Sequence, residues 1–315
     1  MTDVEVRPDV AAYLAELAAR GAPPIDQLPV EIVRQAMRAL GQAIDLPPVT
    51  LPVVRDLACP APHGDIPLRL YDSEATRRGG PIILFFHGGG FVFGDLDSHD
   101  SFCRHLARRS GLPVLAVDYR LAPEHPFPAF AEDAETVARW VAGRPAALGF
   151  RPNGLITCGD SAGGHMAILV AQRLALQPAA LPMLAQWAFY PFLGAGDDWP
   201  SIRDFADGYM LTRSAMDWFD QLLGRAPGDP RYNLLLGPVP PTPLLIQTAG
   251  LDPLRDPARH YADLVRAHGA RVTYVEAPGM IHGYVNMRAA LPSAQQDIEE
   301  CLAAGLALLP ADTAV

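Results

Sequence analysis

The stretch Leu155-Ile156-Thr157-Cys158-Gly159-Asp160-Ser161-Ala162-Gly163-Gly164 decides how this chain is read. An apolar run ends there in G-x-S-x-G, and residues 162–176 continue with helical character. A strand that turns at once into a helix makes a tight elbow, which holds a serine hydroxyl clear of the backbone. Gly159 and Gly163 suit that turn, because the strand and helix backbones pass close together and glycine tolerates strained angles. Upstream, Pro81-Ile82-Ile83-Leu84-Phe85-Phe86-His87-Gly88-Gly89-Gly90-Phe91 is a second apolar run, ending in a glycine-rich turn. Such a turn offers free backbone N–H groups to the oxygen of a developing tetrahedral intermediate. In this order, and each after an apolar run, the two strings imply a serine hydrolase.

The partners of Ser161 are sought in the chain order serine, acid, histidine. Residues 243–250 read as a buried strand with Asp252 just beyond it, and residues 271–277 as the next strand, followed by His282. The separations of 91 and 30 residues leave room for intervening strand–helix units, so the three can meet at one rim of a parallel sheet. Asp256 and Glu276 are rival acids. Asp256 is better placed to charge the start of a helix over 257–268. Among the other histidines, His63, His99, His105 and His125 precede the serine, while His260 and His268 read as exposed helix positions. His165 falls one turn into the helix after the elbow, where packing is the expected role, and His87 belongs to the glycine-rich turn.

These strings, together with Ser98–Arg104, Asp118–Ala129 and Asp252–Asp256, resemble the hormone-sensitive-lipase-like carboxylesterases of the α/β-hydrolase superfamily. The likeness spans most of the chain after about residue 80. It implies Ser161 as nucleophile, His282 as base, Asp252 as the acid that orients it, and an oxyanion hole from the N–H groups of Gly88, Gly89 and Ala162. It further implies no cofactor, a small-molecule ester as substrate, and pairing of two copies through the edge strand near residues 271–276. The acyl groups expected are short to medium, of about C4 to C8, taken up by an apolar lining. An amide hydrolase or deacetylase would use the same groups. A ligand receptor on this fold lacks the histidine, and His282 is present.

Composition excludes other chemistries. All 25 basic residues are arginine. Without lysine there is no P-loop, no pyridoxal Schiff base and no S-x-x-K nucleophile pair. A formal charge of −10 without a basic cluster argues against nucleic acid or an anionic membrane as partner. His99, Asp100, Cys103 and His105 invite a metal, but a fourth ligand at zinc-like spacing is missing, so none is expected. Cys59, Cys103, Cys158 and Cys301 show no disulfide spacing. The start Met1-Thr2-Asp3-Val4-Glu5-Val6 lacks the basic and apolar regions of a signal peptide. No apolar run reaches the roughly 20 residues of a membrane span. The expected setting is the cytoplasm.

At 315 residues and 50% hydrophobic, the chain suits one α/β domain with insertions. Residues 8–20 and 29–44 read as amphipathic helices. Strands near 51–57 and 66–72 precede an alternation of strands (81–86, 113–118, 154–158, 182–189, 243–248, 271–276) with helices (98–109, 130–142, 162–176, 293–309). That rhythm predicts an α/β-hydrolase fold: a mostly parallel twisted sheet of about eight strands, helices on both faces, and a helical cap. The cap is expected from residues 1–45 and about 195–228, and the catalytic domain from 46–315. Phe91, Tyr209, Leu211 and Trp218 are candidates to line the substrate pocket, with Phe205, Met210, Met216 and Phe219 beside them. In Asp118–Ala129, Asp118 and Arg120 are expected to pair, and three prolines to stiffen the crossing to the next helix.

Overall fold

A computed structural model describes residues 5–194, 196 and 198–311. Residues 1–4 of the leader reading and of the first cap segment, and residues 195 and 197 of the second, lie outside the described residues. So do residues 312–315 of the catalytic domain. The strands are β1 (Val53–Cys59), β2 (Ile66–Asp72), β3 (Gly79–Phe86), β4 (Val114–Val117), β5 (Arg151–Asp160), β6 (Met183–Phe189), β7 (Leu244–Leu251) and β8 (Val272–Ile281). They form one sheet in the order β1-β2-β4-β3-β5-β6-β7-β8. The pairs β1–β2 and β2–β4 are antiparallel, and the remaining pairs are parallel.

The helices are α1 (Pro8–Arg20), α2 (Val30–Ile44), α3 (Asp100–Ser110), α4 (Ala129–Ala142), α5 (Ala162–Leu176), α6 (Pro200–Asp204), α7 (Arg213–Leu223), α8 (Arg255–Ala267) and α9 (Ala294–Ala307). The run from Pro81 to Phe86 is apolar at every position because the sheet is covered on both sides, so alternate residues enter different cores. Ile82, Leu84 and Phe86 pack with α4, α5 and α8, while Ile83 and Phe85 pack with α3 and α9. Deep burial therefore surrounds β3, β5 and β7, none of them an edge strand of the sheet. Strand β8 closes one edge and runs five residues beyond its expected end, reaching Ile281.

Two segments stand outside this rhythm. The first, holding α1 and α2, is pinned at both ends and in the middle. Arg7 bonds Asp297 of α9 and the carbonyl of Pro278 at 2.7 Å. Arg34 of α2 donates to the carbonyls of Val92 and Ala122, at 2.8 and 2.9 Å. Asp45, just past α2, accepts from Arg288 at 2.7 Å. The second segment carries α6 and α7. Thr212 caps α7 by accepting from the N–H of Ala215, and Gly224 ends it at φ 79°. Among the described residues, no helix is long and apolar enough to cross a membrane.

Candidate active site

Strand β5 ends at Asp160 and α5 begins at Ala162, so Ser161 alone makes the turn, at φ 55° and ψ −116°. A non-glycine residue in that region is strained, and the surroundings must hold it there. Two glycines do so by absence. A Cβ on Gly163 would lie 1.8 Å from the carbonyl oxygen of Phe86, and one on Gly159 would lie 2.3 Å from the backbone of Gly163. The hydroxyl is thereby lifted to the rim where β7 and β8 also end.

There the chain order resolves into contacts. His282, directly after β8, places Nε2 2.8 Å from Ser161 Oγ and Nδ1 2.7 Å from Asp252 Oδ2. Asp252 is fully buried, and its other oxygen accepts from the N–H of Leu254 at 2.8 Å. The rival acids are engaged elsewhere. Asp256 accepts from the N–H of Ser201 and from Arg255, and Glu276 accepts from Arg259 and Tyr274. One supporting residue has no signal in the sequence: Tyr190, past β6, packs its ring 4.7 Å from that of His282, and its hydroxyl accepts from the N–H of Val285.

The glycine-rich turn differs from expectation at one position. The N–H of Gly88 is not free. It donates to Asp160 Oδ1 at 2.9 Å. Among the described residues the N–H groups of Gly89, Gly90 and Ala162 meet no acceptor, and these residues border the space beside Ser161. The reason lies with Asp160, a carboxylate in the buried interior directly before the serine. Burial alone would raise its affinity for a proton, but His99 and the N–H of Gly88 outweigh that and hold it below the usual range. A buried carboxylate needs such donors, so Gly88 serves Asp160 and the available row of donors moves on by one residue. Gly90 (φ 59°) must remain glycine, because a Cβ there would meet the ring of Phe219 at 2.6 Å.

The expected pair of Asp118 with Arg120 does not form. Arg120 turns to buried Asp133 at the start of α4, at 2.8 Å, because that carboxylate has no water to solvate it. Asp118 faces the cavity instead, and burial pushes its carboxyl up to about 6. The string still supports the glycine-rich turn from below, since Tyr119 donates to the carbonyl of His87 and the N–H of Ala122 to that of Phe91, both at 2.8 Å.

Two cavities meet at Ser161. The larger, about 890 Å³, has Ser161 and His282 on its floor and Leu17, Met37 and Leu40 of the N-terminal helices among its walls. The smaller, about 50 Å³, is bordered by Phe91, Phe192, Met216 and Leu223. Phe91 and Leu211 thus line the site as expected, and Phe219 and Leu211 border both cavities. Tyr209 and Trp218 do not line it. Tyr209 packs on Phe205 and Trp218 on Phe219 and the core, while Ala215, Met216, Phe219 and Leu223 form the stripe of α7 that borders the cavities. Among the described residues, no group of three or more His, Cys, Asp or Glu side chains could hold a metal ion.

Two buried imidazoles near the site are kept neutral, with a consequence for acid stability. Burial pushes His87 and His165 down from the ordinary 6.5 to about 4. The unfolded chain takes up these protons as pH falls through 6.5, and the folded chain refuses them until about 4. Their contribution to stability is therefore intact above 6.5 and is lost between 6.5 and about 4. Asp118, raised to about 6, acts in the opposite sense and offsets one of them. On balance, stability is expected to fall on acidification between about pH 6 and 5, because the two histidines, joined by His105 whose imidazole burial also holds below its ordinary value, outnumber Asp118. Urea melts across that interval measure it, and a flat or reversed slope contradicts it.

Known proteins place the site in context. A family described by its alpha/beta hydrolase fold matches residues 83–286. The carboxylic ester hydrolase LipN of Mycobacterium tuberculosis is 38% identical over 265 residues, covering 81% of this chain and 70% of that protein. An ethyl acetate hydrolase of Pseudomonas putida is 33% identical over 307 residues, 94% of this chain and 96% of its own. Among solved structures, an ester-hydrolase from the metagenome of Lake Arreo, in complex with a bipyridine phosphonate derivative, superposes with a TM-score of 0.89 at 33% identity. It covers 96% of this chain and 99% of that one. A hyperthermophilic esterase from Pyrobaculum calidifontis gives a TM-score of 0.86 at 31% identity, covering 96% and 98%.

Proposed function

Since this chain belongs to the α/β-hydrolase family, in its hormone-sensitive-lipase-like branch, and is a serine carboxylic ester hydrolase, we propose that Ser161, His282 and Asp252 are its catalytic triad. The observation that carries the assignment is the unbroken hydrogen-bonded chain from Ser161 through His282 to Asp252, at 2.8 and 2.7 Å. Serine is a weak nucleophile at its free pKa, so His282 takes its proton during attack on the ester carbonyl. Asp252 holds the imidazole in the tautomer with Nδ1 protonated and stabilises the imidazolium as it forms. The N–H groups of Gly89, Gly90 and Ala162 then bind the oxyanion, and each such donor is worth about 100- to 1,000-fold in rate. His282 returns the proton to the departing alcohol. Water repeats the sequence on the acyl-enzyme and releases the acid.

The cap belongs to the same reading. The segments 5–45 and 198–228 both wall the larger cavity, the second also walls the smaller one, and neither holds a member of the triad. They exclude water and offer apolar contact to an acyl chain. The substrates are uncharged monoesters of short- to medium-chain acids. Turnover of p-nitrophenyl esters from acetate to palmitate is expected to peak at about C4 to C8. A steady rise toward palmitate would sink the chain-length reading. Absence of ester turnover alongside cleavage of the matching anilides would replace it with an amide hydrolase.

A further inference from the structure

The two cavities at Ser161 differ in size, in lining and in their relation to His282. The leaving alcohol must receive its proton from His282 Nε2, so it departs on the side where that nitrogen lies. His282 borders the large cavity and not the small one. The acyl remainder, still bonded through its carbonyl carbon to Ser161, then points the other way. On that side lies the small compartment, which touches Ser161 and Ala162 and is walled by apolar groups. The small compartment, at about 50 Å³, holds only a short chain. The large cavity, at about 890 Å³, accommodates a far bulkier group.

Two cap side chains, Leu211 and Phe219, border both cavities, and the ring of Phe219 is the larger of them. Phe219, on the inward stripe of α7, borders both cavities, and its ring lies against the backbone of Gly90 and 5.9 Å from the ring of Phe93. We infer that Phe219 is the partition that confines the acyl group, so that this enzyme selects short-acyl esters, acetyl to butyryl, of bulky alcohols. The inference rests on the triad proposed above, and it narrows the acyl range given there to its short end: size is tolerated on the alcohol side and refused on the acyl side.

Two isomeric esters test it with hydrophobicity held equal. Octyl butyrate puts the long chain on the alcohol, and butyl octanoate puts it on the acid. The enzyme is expected to cleave octyl butyrate with a kcat/KM about tenfold or more above that for butyl octanoate, the scale on which a pocket rejects surplus methylenes. In Phe219→Ala the cavities merge and the ratio is expected to fall toward one, through a gain on butyl octanoate. Should that variant fail to fold by circular dichroism, Met216→Phe fills the small compartment instead. It is then expected to favour p-nitrophenyl acetate over the butyrate by about tenfold more than the parent. Equal cleavage of the isomers by the parent, or a preference for butyl octanoate, overturns the partition. An unchanged ratio in folded Phe219→Ala does so as well. If the parent cleaves p-nitrophenyl butyrate and a fluorophosphonate labels it at Ser161, such a failure concerns the partition alone. If neither occurs, the triad falls with it.

Discussion

Ser161→Ala is expected to lower kcat on p-nitrophenyl butyrate by about five to six orders of magnitude, the loss typical of removing a triad serine. The substitution keeps the Cβ and therefore the backbone demands of the elbow, which accepts a side chain at φ 55°. It deletes only the hydroxyl that His282 Nε2 approaches at 2.8 Å. The thiol of the same strand cannot substitute. Cys158, three residues earlier, is fully buried in β5, and burial pushes its thiol far above the range where a thiolate forms. What survives is the contribution of the oxyanion donors and of binding, about 10³ to 10⁴ over water. Steady-state turnover, with the thermal melt as a control for folding, decides the matter. Activity within a hundredfold of the parent would mean that another group attacks the ester.

Asp252→Asn is expected to cost about 10⁴ in kcat, and the environment of the carboxylate explains why an isosteric change does so much. Oδ1 of Asp252 accepts from the N–H of Leu254 at 2.8 Å, so an asparagine must keep its carbonyl oxygen on that side. Its amide NH₂ then faces His282 Nδ1. A donor in that place forces the imidazole proton onto Nε2, the nitrogen that must be bare to accept the serine proton. Asp256→Asn provides the contrast. Its partners are the N–H of Ser201 and the guanidinium of Arg255, at 2.9 Å each, so its loss weakens the tie between α6 and α8 rather than the chemistry. Turnover within about tenfold of the parent is expected there. Reversed ranks for the two variants would exchange the roles of the carboxylates.

The parts of this molecule legible from the sequence are those governed by local rules. Strand–helix alternation follows from apolar runs and turn residues, and the elbow from glycine spacing. The places of Asp252 and His282 follow from where strands end. What was not legible depends on how a buried charge is satisfied by residues distant in the chain. Gly88 was expected to offer its N–H to the substrate, yet Asp160, 72 residues later, claims it. Arg120 was expected to pair with Asp118 two residues away, yet Asp133 in the interior outbids it. In both cases a desolvated carboxylate decides, and desolvation is a property of the assembled core. The pocket lining was partly legible for a different reason. Periodicity places Phe219 and Trp218 on an amphipathic helix without saying how that helix is rotated over the site, and a turn of about 100° separates neighbours along it.

The proposed triad is held by the sheet and the loops at its rim, whereas the inferred partition between acid and alcohol is carried by Phe219 on α7. Heredity can therefore act on the two separately. A lineage that alters residues along α7, or exchanges the whole segment, changes its diet while its reaction is passed on intact. For the same reason, a library aimed at new substrates gains most from diversity confined to the inward stripe of α7, with the strands left as they are.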